Sequence, residues 1–243
     1  MLFNKADKLK SKPYFTARNY VELKKLDIKL PKTVIMIPIA HIDPYLSKHS
    51  KKRIKISSAT IDIIHDNVAV VSNYGMGAPV TAMIQEILIE LGVENFIVMG
   101  IAGGMGKTLN IGDIVLCDSV YCDDGTSKDY LSEDVVKASD KLLSFFKEKL
   151  KHNASGPTWT TDSIFRETVA ELVYYKEQGV QTVEMEAGAI FSICKLKNLN
   201  ALGIFIISDL LTGDEWEPVL FDSRINKIFV ENIEKVVNLS AEL

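Results

Sequence analysis

The chain has 243 residues, 47% hydrophobic and 25% charged, with a formal net charge of -4. That length and apolar content suit one α/β domain with a substantial buried core, and the mild acidity leaves no basic footprint for nucleic acid. Three cysteines, Cys117, Cys122 and Cys194, show neither metal-ligand spacing nor an even disulfide set, so buried thiols in a reducing compartment are expected and no metal site is.

The first residues, Met1-Leu2-Phe3-Asn4-Lys5, lack an apolar signal core, and no apolar run is long enough to span a bilayer. A soluble cytoplasmic protein with no membrane partner is expected. Residues 1–30 are lysine-rich and weakly patterned and read as a surface arm, with residues 31–243 as one domain. Thr33–Ala40 reads as a buried strand. Ile54–Ser58, Thr60–His65 and Val68–Asn73 are β-rich and broken by the turn Asp66-Asn67. Pro79–Leu91 has helical periodicity, with proline in the first turn and Gly92 at the stop. Phe96–Ile101 is a second buried strand followed by a glycine loop, and Ile111-Gly112-Asp113 turns into the strand Ile114–Tyr121. Glu133–Lys151 is predicted as an amphipathic helix, as are Arg166–Gln178, Ala187–Lys197 and Asp222–Leu239 as helices. Gly179–Val183 and Ala201–Ser208 are predicted strands. The alternation predicts an α/β fold, a single domain with a mixed, mostly parallel twisted central sheet flanked by helices.

Val183-Glu184-Met185-Glu186-Ala187-Gly188-Ala189 is the most informative stretch. If a strand ends here, Glu184 and Glu186 leave it on one side, and a carboxylate so placed accepts two hydrogen bonds from a vicinal diol. An acidic helix N-terminus explains the same residues. Two glycine loops follow apolar strands. Ile101–Thr108 is not a phosphate-binding P-loop, because Ile101 stands where the first glycine is required. Gly75-Met76-Gly77 lacks the third glycine of a dinucleotide fingerprint. Either loop admits an anion or a sugar to its backbone N–H groups, or is simply a tight turn.

Taken in order, these segments resemble the superfamily of purine nucleoside phosphorylases, uridine phosphorylases and methylthioadenosine nucleosidases. The resemblance runs through Ser72–Pro79 with the helix holding Glu86, Val98–Gly104, Asn110–Val115, Thr160–Phe165, Val183–Glu186 and Ser208-Asp209. It implies cleavage of the N-glycosidic bond of a purine-like nucleoside, by phosphorolysis to free base and ribose 1-phosphate. No cofactor is implied, with phosphate as co-substrate. Hydrolysis, or nucleoside binding without turnover, are the alternatives. The resemblance gives Asp209 the catalytic place facing N7 of the base, where a helix N-cap is the plain reading. It gives Glu186 and Met185 the ribose, with Glu184 ordering the sugar pocket. Ile164 and Phe165 fall against the base, Ala102 and Gly103 line the substrate site, and Gly75 and Gly77 form the anion nest. Arg166 and Glu167 either contact the base or cap the next helix. The resemblance also implies a homo-oligomer, dimer or hexamer, with residues 41–53 and the segment around Arg166 as candidate shared edges.

The chain departs from the phosphorylases at their phosphate ligands. Val98 and Ile101 stand where an arginine and a hydroxyl are expected, and no arginine follows Ala40-His41-Ile42-Asp43-Pro44 until Arg53. Arg53 and Arg166 are the candidate substitutes for phosphate, and His41 and Asp43 the candidate activators of water.

Overall fold

The computed structural model describes residues 4–38, 42–211, 217–218 and 223–243. Two short helices, α1 (Lys5–Lys10) and α2 (Ala17–Leu23), lead into β1 (Thr33–Met36). Tyr20 and Val21 of α2 pack against the main core, so the lysine-rich arm is anchored by apolar contacts. Helix α3 (Asp43–His49) then precedes β2 (Lys52–Ile56), β3 (Ala59–His65) and β4 (Val68–Ser72). These strands form two antiparallel hairpins, the second turning at Asp66-Asn67 as its sequence predicts.

Helix α4 (Ala78–Glu90) has Pro79 in its first turn and stops before Gly92, whose φ of 99° only glycine adopts without strain. It is followed by β5 (Asn95–Gly104), β6 (Ile114–Asp123), β7 (Val135–Lys137) and α5 (Asp140–Lys149). The expected helix over Glu133–Lys151 is therefore a correction. Its first part pairs as β7 with β6, and the helix begins only after Ser139. β8 (Ala154–Thr161), α6 (Val169–Glu177), β9 (Thr182–Glu184), α7 (Ala187–Lys197) and β10 (Asn200–Leu210) complete the centre. β11 (Glu217–Pro218) adds a short edge, and α8 (Ser223–Ser240) closes the chain with Ile225, Phe229, Ile233, Val236 and Val237 buried along one stripe. Asp222 of the predicted closing helix lies outside the described residues.

The sheet is mixed, and its two longest pairings, β5 with β10 and β6 with β8, are parallel. Five strands close a ring. β5 pairs with β10, β10 with β6, β6 with β8, β8 with β9, and β9 with β5 again. Four further strands extend the sheet from β5 through β1, β4 and β3 to the edge strand β2, where Lys52 and Lys55 are exposed, while β7 pairs with β6 and β11 with β10.

The ring corrects another expectation. Gly103 and Gly104, read as a loop, are the last residues of β5. They face a crowded interior. A Cβ on Gly103 would collide with Leu211, and one on Gly104 would lie 2.9 Å from Ile207. Gly203 in β10 is as tight, since a methyl there would sit 2.8 Å from Cys117 and 2.9 Å from Phe205. Among the described residues no helix is long and apolar enough to cross a membrane.

Because the ring leaves no space at Gly203, Gly203→Ala should destabilise the fold by about 1–3 kcal/mol. Urea unfolding of wild type and variant checks this, and an unchanged midpoint would mean that the ring widens freely.

Candidate active site

β1, β4, β5 and β10 run parallel and end on one side of the sheet. That carboxyl edge is where open α/β sheets bind ligands. Glu184 ends β9, beside β5 on one flank and β8 on the other. The register sets Thr160 of β8 opposite Glu184, and the Thr160 hydroxyl donates to Glu184 Oε1. Glu184 Oε2 accepts from the backbone N–H groups of Glu186 and Ala187, each at 2.7 Å. Gly188 N–H donates to Thr160 Oγ1 at 2.9 Å. A side chain on Gly188 would meet Asp124 at 2.5 Å, so the small residues there let α7 approach closely.

The helix-start reading of this stretch holds for Glu184. Glu184 spends both oxygens on protein donors and caps the start of α7. Glu186 turns the other way. Its Oε1 accepts from Gly77 N–H at 2.6 Å, which ties β9 and α7 to the glycine loop after β4. Gly75 and Gly77 both have φ of 102°, a conformation glycine adopts freely. One N–H of the expected anion nest is therefore already engaged by Glu186. Met185 is half-buried between the two carboxylates.

Asp209 owes its place to a bulge. β10 follows β5 in register to Ile207 opposite Ala102, and Asp209 then stands opposite Gly103, leaving Ser208 extra. Ser208 Oγ lies 2.7 Å from Asp209 Oδ1 and 3.3 Å from the Ala102 carbonyl. Gly103 sits between the site strands, its missing Cβ 3.0 Å from Val183 and 3.6 Å from Asp209 Oδ2. Asp209 is a buried strand residue, not a helix N-cap.

The segment after β8 is exposed. Ile164, Phe165 and Arg166 form a short 3-10 turn, with Ile164 44% and Phe165 96% exposed. Thr168 caps α6 in a reciprocal box with Glu171. Just before it, the half-buried Glu167 carboxyl is pushed up to about 7 by burial and by the charges of Asp209 and Glu171. Thr160 was not singled out from the sequence. Its signal is the period-two spacing of Thr158 and Thr160, both of which bond to β9.

On the phosphate side, Val98 is buried and Ile101 partly so. Arg53, a candidate substitute, is engaged by a carboxylate across its hairpin. Its fork holds the buried Asp62, with Nε 2.8 Å from Oδ1. Arg18 pairs with Glu90 at 3.2 Å. His41 and the Asp43 side chain lie outside the described residues. Among the described residues no cluster of three His, Cys, Asp or Glu is arranged to hold a metal ion.

Burial raises both Glu184 and Glu186 above the ordinary 4.5, and the Glu186 charge raises Glu184 further. A carboxyl raised on folding keeps its proton in the folded chain after the unfolded chain has lost it. Stability contributed by this pair is therefore lost as pH rises from 4.5 through neutrality. Unfolding free energies measured from about pH 5 to about pH 8 should fall in wild type and fall less in Glu186→Gln. Equal slopes in the two proteins would place the effect elsewhere.

Residues 38–243 match the family described as the Phosphorylase superfamily. A guanosine phosphorylase from Halorubrum lacusprofundi is 23% identical over 171 residues, 68% of this chain and 71% of that one. A DeoD-type purine nucleoside phosphorylase from Clostridium perfringens is 30% identical over 153 residues, 60% of this chain and 65% of that one. Among solved structures, uridine phosphorylase from Vibrio fischeri superposes with a TM-score of 0.71 at 20% identity, over 90% of this chain and 93% of that one. Purine nucleoside phosphorylase from Toxoplasma gondii, in complex with immucillin-H, gives 0.71 at 17% identity, over 90% and 94%. These structures share the fold, and the match from residue 38 to the last residue shows that the chain belongs to the phosphorylase superfamily.

Proposed function

We propose that this chain cleaves the N-glycosidic bond of a purine-like nucleoside and passes the sugar to inorganic phosphate, giving free base and a pentose 1-phosphate. The observation that carries the reading is Glu186. It is buried, and it is held by Gly77 N–H at the meeting of the glycine loop and the β9–α7 junction. A carboxylate in that position is suited to accept from the paired hydroxyls of a ribose. Across Gly103, Asp209 is suited to give a proton or hydrogen bond to the leaving base, the assistance that glycosidic cleavage requires. Glu184 acts through Glu186 as a positioning residue. The reaction needs no metal and no organic cofactor. The names of the relatives, purine and guanosine phosphorylases, support phosphate as acceptor.

A second reading, hydrolysis, is favoured by two specific observations. The strand position at Val98 is apolar and buried, and Arg53 is engaged by Asp62. Charge-assisted hydrogen bonds to phosphate contribute about 1.5–3 kcal/mol each, so their absence weakens phosphate as a partner. We also read the chain as a homo-oligomer, with the exposed Ile164, Phe165, Val169, Val173 and Tyr174 near the candidate shared edge.

A panel of purine and pyrimidine nucleosides, assayed with and without phosphate, separates the readings. Phosphate-dependent pentose 1-phosphate is expected, free pentose regardless of phosphate selects hydrolysis, and no base release overturns both. Glu186→Gln should lower kcat/KM on the order of 10²-fold. Asp209→Asn should lower kcat by about 10²–10⁴-fold with a smaller change in KM, and near-normal turnover would remove Asp209 from the mechanism.

A further inference from the structure

Glu186 holds the N-cap position of α7, yet its side chain makes no cap bond. An N-cap side chain ordinarily accepts from the backbone N–H of the second or third helical residue. Here the first turn of α7 is bonded by two neighbouring strands instead. Ala187 N–H, the first of the helix, goes to Glu184 Oε2 at the end of β9, 2.7 Å away. Gly188 N–H, the second, goes to Thr160 Oγ1 in β8, 2.9 Å away. The Glu186 carboxylate is thereby relieved of the cap and reaches Gly77 N–H, 2.6 Å away.

Thr160 joins the two halves of this arrangement. A hydroxyl has one proton. Oγ1 accepts from Gly188 N–H, and the proton is given to Glu184 Oε1. Thr160 is fully buried, so bulk water does not compete for either bond. Without that hydroxyl, Gly188 N–H would lose its acceptor in the interior, where an unbonded donor is costly. Asp124 also packs against Gly188, since a Cβ there would lie 2.5 Å from its carboxylate. Both Asp124 oxygens are engaged, one by Ser127 N–H at 2.7 Å and one by the Ser127 hydroxyl at 2.5 Å. The side chain placed by helix geometry to take over the second N–H is that of the N-cap residue itself, and that residue is Glu186.

We propose that Thr160 is a positioning residue for sugar recognition: by capping α7 in place of Glu186, it keeps the Glu186 carboxylate turned out of the helix and toward the sugar hydroxyls. The proposal rests on the reading above that Glu186 receives the sugar. It gives Thr160 no contact with substrate. Thr158 supplies an internal control. It stands two residues earlier on β8, equally buried, and its hydroxyl also joins β8 to β9, donating to the Thr182 carbonyl at 3.0 Å and accepting from the Thr182 hydroxyl at 2.9 Å.

The test compares wild type, Thr160→Val, Thr160→Ser and Thr158→Val on adenosine, guanosine and inosine and on the 2′,3′-dideoxy form of each. The readout is the ratio of kcat/KM for riboside to that for its dideoxy form, in which the intrinsic lability of the two sugars cancels between proteins. Calorimetry of the same nucleosides runs beside it, and wild type should bind the riboside more tightly. Thr160→Val should lower the ratio by about 10–100-fold, with the loss falling on the riboside. Thr160→Ser, which keeps the hydroxyl, should restore most of it and guards against a misfolded valine variant. Thr158→Val should lower the melting temperature and leave the ratio near that of wild type. An unchanged ratio in Thr160→Val, an equal loss on both sugars, or an equal fall in Thr158→Val overturns the proposal. The binding arm separates it from the function it rests on. A riboside preference in binding that depends on Thr160, without any turnover, would overturn nucleoside cleavage and uphold Thr160. Turnover with a riboside preference indifferent to Thr160 would overturn Thr160 and leave cleavage standing.

Discussion

The site depends on one buried carboxylate that touches no solvent-facing partner. Glu184 accepts from the Thr160 hydroxyl on one oxygen and from two backbone N–H groups on the other. Those bonds join three elements, β8, β9 and α7, at a single point. They fix the backbone of Glu186 before its side chain meets the glycine loop. Leaving such a group unbonded would cost several kcal/mol, so the surrounding chain is held to the geometry that satisfies it. The ring of strands serves the same end. It brings the ends of β5, β9 and β10 close enough that only glycine fits between Val183 and Leu211.

The two flanks of this centre differ in character. One flank is rich in buried carboxylates: Glu184, Glu186 and Asp209. The opposite flank is apolar at Val98, and the arginine sequence offered as a replacement is bound to Asp62. Family membership and local chemistry thus bear on different parts of the reaction. The first speaks to nucleosides as a class, the second to the acceptor and to the base.

Much of the fold was legible because its strands are uniformly apolar and its helices carry their own stop signals. The β2–β3–β4 hairpins, α4, α7 and the closing helix follow from pattern and punctuation. β7 was hidden inside a helical periodicity that pairing with β6 overrides. β8 was hidden by Gly156, Pro157 and its threonines, which carry little hydrophobic signal, although their alternation is what reaches Glu184. Motif order put the candidate residues forward as a set, and the fold brings Gly77 to Glu186 and Gly103 to Asp209. Their division of labour was not legible in the sequence. Which of Glu184 and Glu186 meets Thr160 depends on the register of β8 against β9, and the place of Asp209 depends on a bulge at Ser208. Both are tertiary facts that no local pattern encodes. Arg53 stayed ambiguous for the same reason, since its partner Asp62 lies across a hairpin.

The lysines on β2 have a consequence beyond this chain. A sheet that ends in an unpaired strand offers its backbone to any neighbour that can extend it. Here that strand carries Lys52 and Lys55 in water, beside Lys51 and Arg53. Two copies meeting edge to edge would set like charges against each other at strand spacing, a few ångströms apart. The border of the sheet is thus guarded against continuous β-stacking. The charge that keeps this edge in water also disfavours growth of the sheet into a fibre from this side.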